Sequence, residues 1–220
     1  MQKHCWIGNA ENRRLLVEMW SGYVNWMRRE KAENGWLIHQ LNSHNCNKVF
    51  DAALGDGCDS IRLIKAGFCV TSNDVDRLFI LKAVENAIKH KVQLKITNLD
   101  WRELNKKIPP QSFDAVLCLG NSFTCLFDLK SQIKAITQFH SITKNGGILL
   151  IDERNYQHIL DNRRKILSGQ LVSTGEPLYC GKNVHSRPIE IKKSRSNGNS
   201  WTREQKRERM LSATRSKKVS

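Results

Sequence analysis

The chain alternates between short, nearly continuous apolar runs and longer segments in which apolar residues recur every three or four positions. The short runs predict five strands, at residues 48–53, 68–72, 94–97, 113–119 and 148–152. The segments between them predict helices at residues 60–66, 76–90 and 130–142. Residues 145–147, Asn-Gly-Gly, are expected to end the last helix and turn into the last strand. Near-continuous apolar strands joined by helices are typical of a parallel sheet with helices on both faces, which is an α/β fold.

The two ends of the chain show different patterns. Apolar residues at helical spacing predict a helix over residues 11–32 and another turn or two at residues 36–41. Between residues 192 and 220 few positions are apolar, which predicts a disordered segment. We therefore expect three parts: an N-terminal helical segment (1–40), the domain that holds the sheet (41–186) and a tail (187–220).

The excess of positive charge is concentrated in this tail. The 220 residues carry a net charge of +15, and the tail holds 11 of the 36 Lys and Arg residues but 3 of the 21 Asp and Glu residues. A basic tail of this kind is usually solvated, and the alternative is that it contacts nucleic acid or another acidic surface. With only one tryptophan and no series of stacking aromatics in the tail, nucleic acid is the less favoured partner.

Cysteine spacing and hydropathy favour a cytoplasmic protein. The seven cysteines form no C-x-x-C pair, which fits reduced thiols better than a disulfide framework or a zinc site, so no metal is expected. Cys69 and Cys118 lie in apolar runs and are interpreted as small core residues. No apolar run reaches the ~18 residues of a membrane span, and the N-terminus lacks the apolar stretch of a secretory signal.

Residues 48–60, KVFDAALGDGCDS, carry the main chemical signal. An apolar strand runs into a glycine loop (residues 55–57), a helix follows, and the next strand ends at Asp74. Glycines let a ligand approach the backbone, the helix start offers free N–H groups, and the acid can accept both ribose hydroxyls. Ser60 stands where a dinucleotide site has its third glycine, which favours a cofactor with a ribose but no phosphate, such as S-adenosylmethionine. The alternatives are a tight turn without a ligand and an Asp74 that caps the next helix.

Two further stretches, LCLGNSF at residues 117–123 and IDERNYQHIL at 151–160, make the signal more specific. Together with DAALGDGCDSIRL, GFCVTSND and DWREL, they resemble the glycine N-methyltransferase and glycine/sarcosine N-methyltransferase family, over about residues 15–182. The resemblance implies a class I, Rossmann-like methyltransferase domain that uses S-adenosylmethionine. The implied acceptor is the amine of glycine, sarcosine or dimethylglycine, in betaine synthesis or methyl-group balance.

The resemblance also implies the cofactor-binding residues. Asp74 would bind the ribose, and Asp100 and Trp101 would lie beside the adenine, although Asp100 and Glu103 also read as a helix-capping pair. The remaining positions are the cofactor loop and strand ends, Ala53, Gly55, Gly57 and Leu119, and the lid residues Trp20, Tyr23 and Arg29. Alternatively, the lid helix only buries its aromatic side chains in the core. Arg28 is the alternative to Arg29 as the lid arginine. Leu54 and Asp56 depart from the family's loop.

For the amino-acid substrate, the resemblance points to Arg154, whose guanidinium would hold the carboxylate by two parallel hydrogen bonds. The alternative is a surface ion pair with Asp152 or Glu153. Asn121 would lie near the substrate or only form a turn. Tyr156 and Tyr179 would line the site or lie at the edge of the core. Since no His/Asp dyad is evident, the amine is expected to lose its proton without a dedicated base.

The family continues with further strands where this chain turns into its basic tail. We therefore expect C-terminal strands to be missing or altered, with an exposed edge on the fifth strand. The alternatives to an active enzyme are a catalytically impaired, truncated form and a binding module whose tail contacts nucleic acid. The pattern leaves the oligomeric state open.

Overall fold

The computed structural model describes residues 10–171, which fall into two units. The sheet unit comprises Glu33–Glu153, and the terminal unit combines residues 10–32 with residues 154–171. Tyr179 and the predicted tail, residues 187–220, lie outside the described residues. The three-part division expected from the sequence stays a prediction.

Five parallel strands form one sheet in the order β3-β2-β1-β4-β5. Their bounds are β1 Lys48–Asp51, β2 Cys69–Asn73, β3 Lys95–Thr97, β4 Phe113–Cys118 and β5 Thr143–Ile151. Each predicted strand is present, so the expected parallel α/β sheet is confirmed.

Helices occur in both units. Their bounds are α1 Ala10–Tyr23, α2 Trp26–Glu33, α3 Trp36–Ser43, α4 Cys58–Lys65, α5 Arg77–Lys89, α6 Leu129–Ile142, α7 Tyr156–Asp161 and α8 Arg163–Leu167. Two short 3₁₀ helices span Trp101–Lys106 and Phe123–Cys125. The single helix expected over residues 11–32 is two helices, because Asn25 accepts a hydrogen bond from the Arg28 N–H (3.0 Å) and so starts a new helix.

Alternate side chains of the central strands enter two separate cores, one on each face of the sheet. Val49 of β1 packs with Leu41 of α3 and Leu63 of α4 on one face. Phe50 packs on the other face with Phe139 of α6 and Trp101. This alternation explains why β1 and β4 read as continuous apolar runs in the sequence.

The start of β5 differs from the sequence expectation. Residues 145–147 do not connect α6 to the strand; they form a bulge inside β5, because Phe113 pairs with Thr143 but Ala115 pairs with Ile148. A Cβ on Gly147 would lie 2.6 Å from the backbone oxygen of Asp114. The bulge therefore brings β5 close to β4 at a place where no side chain fits.

Asp114 of β4 connects β1 and β5 at the amino end of the sheet. Its carboxylate accepts the N–H groups of Asn47 (2.9 Å) and Lys48 (2.7 Å) and pairs with the Lys144 ammonium (2.6 Å). Partial burial opposes ionisation, but these hydrogen bonds lower the pKa of Asp114 to about 2.

The cysteines only partly follow the sequence interpretation. Cys118 is fully buried in β4, and burial raises the pKa of its thiol well above the ordinary value. Cys69, however, begins β2 with its side chain exposed, so its assignment to the core was wrong. Cys46, Cys58, Cys69 and Cys118 form no disulfide bond. Cys125 is disulfide-bonded, which differs from the expectation of reduced thiols.

Two features are absent from residues 10–171. None of the helices there is both long and apolar enough to cross a membrane. No group of three or more His, Cys, Asp or Glu side chains in the same residues is arranged to hold a metal ion.

The bulge gives a stability prediction. Gly147→Ala should lower the free energy of unfolding by about 3 kcal/mol, because its methyl group would overlap backbone atoms that cannot move independently. Gly67→Ala is the control: Gly67 has φ +96° but open space around it, so only the backbone strain of ~1–2 kcal/mol remains. Urea unfolding measures both, and equal losses would contradict the steric account.

Candidate functional site

The strand order places the candidate site at the carboxyl ends of β1 and β4. From β1 the chain builds the sheet outward through β2 to β3, then returns to add β4 and β5 on the other side. Ligands of such sheets bind in the crevice at this reversal. The glycine loop follows β1, and Leu119 and Asn121 follow β4.

The glycine loop presents a narrow accessible surface. Ala53 and Gly55 are half-exposed, whereas Leu54 between them is buried. Leu54 therefore fits the loop despite its departure from the family pattern, because its side chain points into the protein. Asp56 is also buried, and its carbonyl oxygen accepts a hydrogen bond from the side-chain amide of Asn86 on α5 (2.8 Å).

Gly57 shows that one loop glycine is needed for protein packing as well. Its φ is +90°, and an added Cβ would lie 3.2 Å from the Cβ of Ala83 on α5. Gly57 also caps α4 and, as a glycine, makes no side-chain hydrogen bond to that helix. The close approach of α5 and the start of α4 thus meet at one residue.

Asp74 is tied directly to the glycine loop. One carboxylate oxygen accepts the Gly55 N–H (2.9 Å), and the other accepts the Asp76 N–H (2.9 Å). The helix cap suggested as its alternative role belongs to Asp76, whose side chain accepts the Leu78 N–H (3.0 Å). Burial raises the pKa of Asp74 to about 6, although its half-exposed side chain keeps some solvent contact.

A buried polar cluster lies beneath the loop. Asp51, at the end of β1, accepts the Ala53 N–H (3.1 Å) on one oxygen and the Ser60 hydroxyl (2.5 Å) on the other. The Ser60 and Ser72 hydroxyl oxygens lie 2.8 Å apart. Burial, with repulsion from Asp59, raises the pKa of Asp51 to about 7.

Beyond β3, Asp100 and Trp101 have clear structural partners. The Asp100 carboxylate caps the 3₁₀ helix through the Arg102 N–H (2.9 Å) and also binds the Arg102 guanidinium (2.9 and 2.6 Å). Asp100 therefore caps the helix, as the alternative interpretation of the sequence expected. Glu103, the second member of the expected capping pair, forms an ion pair with Lys106 instead (2.9 Å). Partial burial opposes ionisation of Asp100, but Arg102 lowers its pKa.

The Trp101 side chain is part of the core. Its indole N–H donates to the carbonyl oxygen of Ala52 (2.7 Å), and its ring stacks edge-on against Phe139. Trp101 thus supports the start of the glycine loop from within the protein.

After β4, Leu119 is buried and Asn121 forms a turn with φ +59°. The Asn121 N–H donates to a carboxylate oxygen of Asp152 (2.7 Å), and its side-chain amide contacts the Thr124 hydroxyl (3.2 Å). Asp152 therefore links the ends of β4 and β5 and positions Asn121.

The other predicted residues belong to the terminal unit. Arg154 and Tyr156 are half-buried, and Asn155 between them caps α7 through the His158 N–H (2.9 Å). On α2, Arg29 is buried and its neighbour Arg28 is exposed.

Trp20 lies half-buried on α1. Tyr23 ends that helix, and its side chain lies outside the described part of the structure. The lid assignments and the assignments of Arg154 and Tyr156 stay predictions.

The structure brings Asp74 into direct contact with Gly55 through a hydrogen bond, and Ala53 lies two residues before Gly55 in the same loop. Sequence reasoning did not assign a role to the polar side chains that hold this arrangement, which are Asp51, Ser60, Ser72, Asn73, Asn86 and Asp152. For Asp51, Ser72, Asn73 and Asp152 the visible signal was a polar residue inside or just after an apolar strand, whereas Ser60 and Asn86 lie in helices.

Comparisons with known proteins agree with this architecture. Residues 49–147 match the family model of a methyltransferase domain. A glycine/sarcosine N-methyltransferase from Aphanothece halophytica is 42% identical over 173 residues, which are 79% of this chain and 62% of that relative. Over about four fifths of its length the chain is similar to glycine/sarcosine N-methyltransferases. The resemblance noted in the sequence is thereby confirmed.

Family members differ in length and in named acceptor. A glycine/sarcosine/dimethylglycine N-methyltransferase from Actinopolyspora halophila is 35% identical over 177 residues, which cover 80% of this chain but 30% of that relative. The chain thus spans about three fifths of the Aphanothece relative and under a third of this one.

Among solved structures, the PH0226 protein from Pyrococcus horikoshii has the same fold. It superimposes with a TM-score of 0.60 at 21% identity, covering 72% of this chain and 73% of that protein.

The raised pKa values of Asp51 and Asp74 predict a pH dependence of stability. Between about pH 4 and pH 7 the folded protein holds protons that the unfolded chain has lost, so stability should fall as the pH rises through this window. In Asp51→Asn, the decrease in the free energy of unfolding across this pH window should be smaller by roughly 2–4 kcal/mol. Urea unfolding of the ligand-free chain at several pH values measures the slope.

Asp114→Asn is the matched control for that slope. The pKa of Asp114 is lowered to about 2, so the stability that it contributes is lost only as the pH falls below the ordinary carboxyl range. Its replacement should leave the slope between about pH 5 and pH 7 unchanged. An unchanged slope in Asp51→Asn would contradict the assignment.

Proposed function

We propose that the chain is an S-adenosylmethionine-dependent N-methyltransferase that acts on the amine of glycine, sarcosine or dimethylglycine. The observation that carries this proposal is the 42% identity to a glycine/sarcosine N-methyltransferase over 79% of the chain. A cytoplasmic location, and a role in betaine synthesis or methyl-group balance, are part of the same proposal.

The acceptor capacity of Asp74 supports the cofactor assignment. A carboxylate has about four acceptor positions. The N–H groups of Gly55 and Asp76 occupy two of them, and the Val75 N–H also interacts with this carboxylate. The remaining capacity, about one position, suits a ribose hydroxyl. A carboxylate next to the half-exposed Gly55 disfavours a phosphate for electrostatic reasons, which agrees with a nucleoside cofactor that has none.

Asp100 can supply one further contact. Arg102 donates three hydrogen bonds to it, so about one acceptor position remains for the exocyclic amine of adenine. In this proposal Ala53, Gly55 and Gly57 provide the backbone surface of the cofactor site with Leu119, and Trp101 acts through Ala52. Trp20, Tyr23 and Arg29 cover the cofactor.

The chain's chemical task is to orient the acceptor. S-adenosylmethionine, when bound, supplies a methyl group that its sulfonium already activates. Arg154 holds the substrate carboxylate by a bidentate pair, and Asn121, Tyr156 and Tyr179 line the amine side. Orientation and exclusion of water then account for most of the rate. The amine loses its proton to solvent or through a site lined by tyrosine or carbonyl groups, without a dedicated base.

Methyl transfer from radiolabelled S-adenosylmethionine tests the proposed activity. Glycine, sarcosine and dimethylglycine are offered separately, with RNA as a control acceptor and ligand. We expect label on at least one of the three amino acids and none on RNA. A folded chain that labels none of them, or that binds RNA in a salt-dependent manner instead, would overturn the proposal.

Two variants should separate cofactor binding from acceptor binding. Asp74→Asn should weaken S-adenosylhomocysteine binding about tenfold or more, because one acceptor of the ribose becomes a donor. Arg154→Ala should raise KM for the amino acid at least about tenfold and lower kcat, while cofactor binding survives. Calorimetry and initial rates measure the two effects.

Arg164→Ala is the control for Arg154, because Arg164 is an exposed arginine of α8 in the same unit. It should change neither quantity. If Arg154→Ala abolishes cofactor binding and leaves KM unchanged, the assigned roles are wrong.

A further inference from the structure

Ser60 replaces the third glycine of a dinucleotide loop, and the structure shows what its hydroxyl does there. Ser60 lies in the first turn of α4 and is fully buried. Its oxygen is 2.5 Å from Asp51 at the end of β1 and 2.8 Å from Ser72 on β2. One hydroxyl thus joins the strand before the loop, the helix after it and the neighbouring strand.

The direction of this hydrogen-bond chain depends on the charge of Asp51. A serine hydroxyl has a single proton. When Asp51 is ionised, Ser60 donates to it and accepts from Ser72. When Asp51 is protonated on the same oxygen, that proton can only be donated to Ser60, and the chain must reverse. The two charge states therefore cannot keep the same hydrogen bonds.

Asp51 transmits this state to the loop. Its other oxygen accepts the N–H of Ala53, the half-exposed residue that begins the loop surface. The same peptide unit carries the Ala52 carbonyl, which accepts the Trp101 indole N–H (2.7 Å). Because a peptide unit is planar, Asp51 and Trp101 together fix the plane from which the loop surface continues.

We propose that Ser60 is a positioning residue that holds the ionised Asp51 carboxylate as the anchor of the glycine loop, so that cofactor affinity depends on the charge of Asp51. This inference rests on the proposed S-adenosylmethionine site. Ser60 and Asp51 act through Ala53 and need not touch the cofactor.

The groups around Asp51 make its charge state responsive near neutral pH. Asp59 on α4 and Asp74 after β2 repel its negative charge. The Cys118 thiol on β4 also interacts with Asp51, and it stays neutral because burial raises its pKa. The hydrogen bond from Ser60 opposes these effects by lowering the pKa of Asp51. Removing the Ser60 hydroxyl should therefore raise the pKa of Asp51, so that Asp51 ionises only at a higher pH.

Calorimetric titration of the full chain with S-adenosylhomocysteine, between about pH 5.5 and pH 9, tests the inference. The wild-type affinity should fall on the acid side of a midpoint, and Ser60→Ala should move that midpoint upward by roughly half to one pH unit. Ser72→Ala should cause a smaller shift, because Ser72 reaches Asp51 only through Ser60. Melting temperatures are recorded for each variant.

Thr143→Val is the matched control. Thr143 has a buried hydroxyl that donates to the Phe139 carbonyl oxygen (2.7 Å) at the amino end of β5. Its loss should lower the melting temperature without moving the affinity midpoint.

A midpoint in Ser60→Ala equal to that of the wild type would overturn the inference and leave the proposed function intact. A folded wild-type chain that binds no S-adenosylhomocysteine at any pH would overturn both.

Discussion

The central strand β1 is paired on both edges and buried on both faces, so every polar group at its carboxyl end must find a partner within the protein. The Ala52 carbonyl meets the Trp101 indole, and the Leu54 N–H donates to the Asn73 carbonyl oxygen (2.9 Å). A buried polar group without a partner costs about 1–3 kcal/mol. The path of the glycine loop follows from this requirement, because few backbone conformations satisfy it.

The same hydrogen bonds shape the site. Since Leu54, Asp56 and Gly57 face the interior, Ala53 and Gly55 are the half-exposed positions of the loop. The Asp74 carboxylate is turned toward Gly55 by the backbone N–H that it accepts. Contacts that hold β1, β2 and α4 together therefore also orient the groups assigned to the cofactor, and fold stability and binding geometry share their residues.

Much of this architecture could be predicted from local patterns. The five strands, their parallel arrangement and the family followed from apolar runs and short motifs, and the observed strand ends mostly lie within one or two residues of those expected. The misses have local causes that the patterns do not reveal. Asn25 starts a second helix in a segment where a single continuous helix was expected. The bulge at Gly147 extends β5 toward its amino end. Cys69 was misplaced because a strand's first residue can point outward.

Periodicity, glycines and acids at strand ends were sufficient to infer the order of the elements and the edge of the sheet where a ligand would bind, since these depend on neighbours in the chain. The partners of the site residues were decided only in the folded protein. Asp51 meets Ser60, Ser60 meets Ser72, and Gly57 meets Ala83, across separations of 9 to 26 residues that no local pattern encodes. Even the charge of Asp51 depends on burial, because desolvation is the largest cause of its raised pKa.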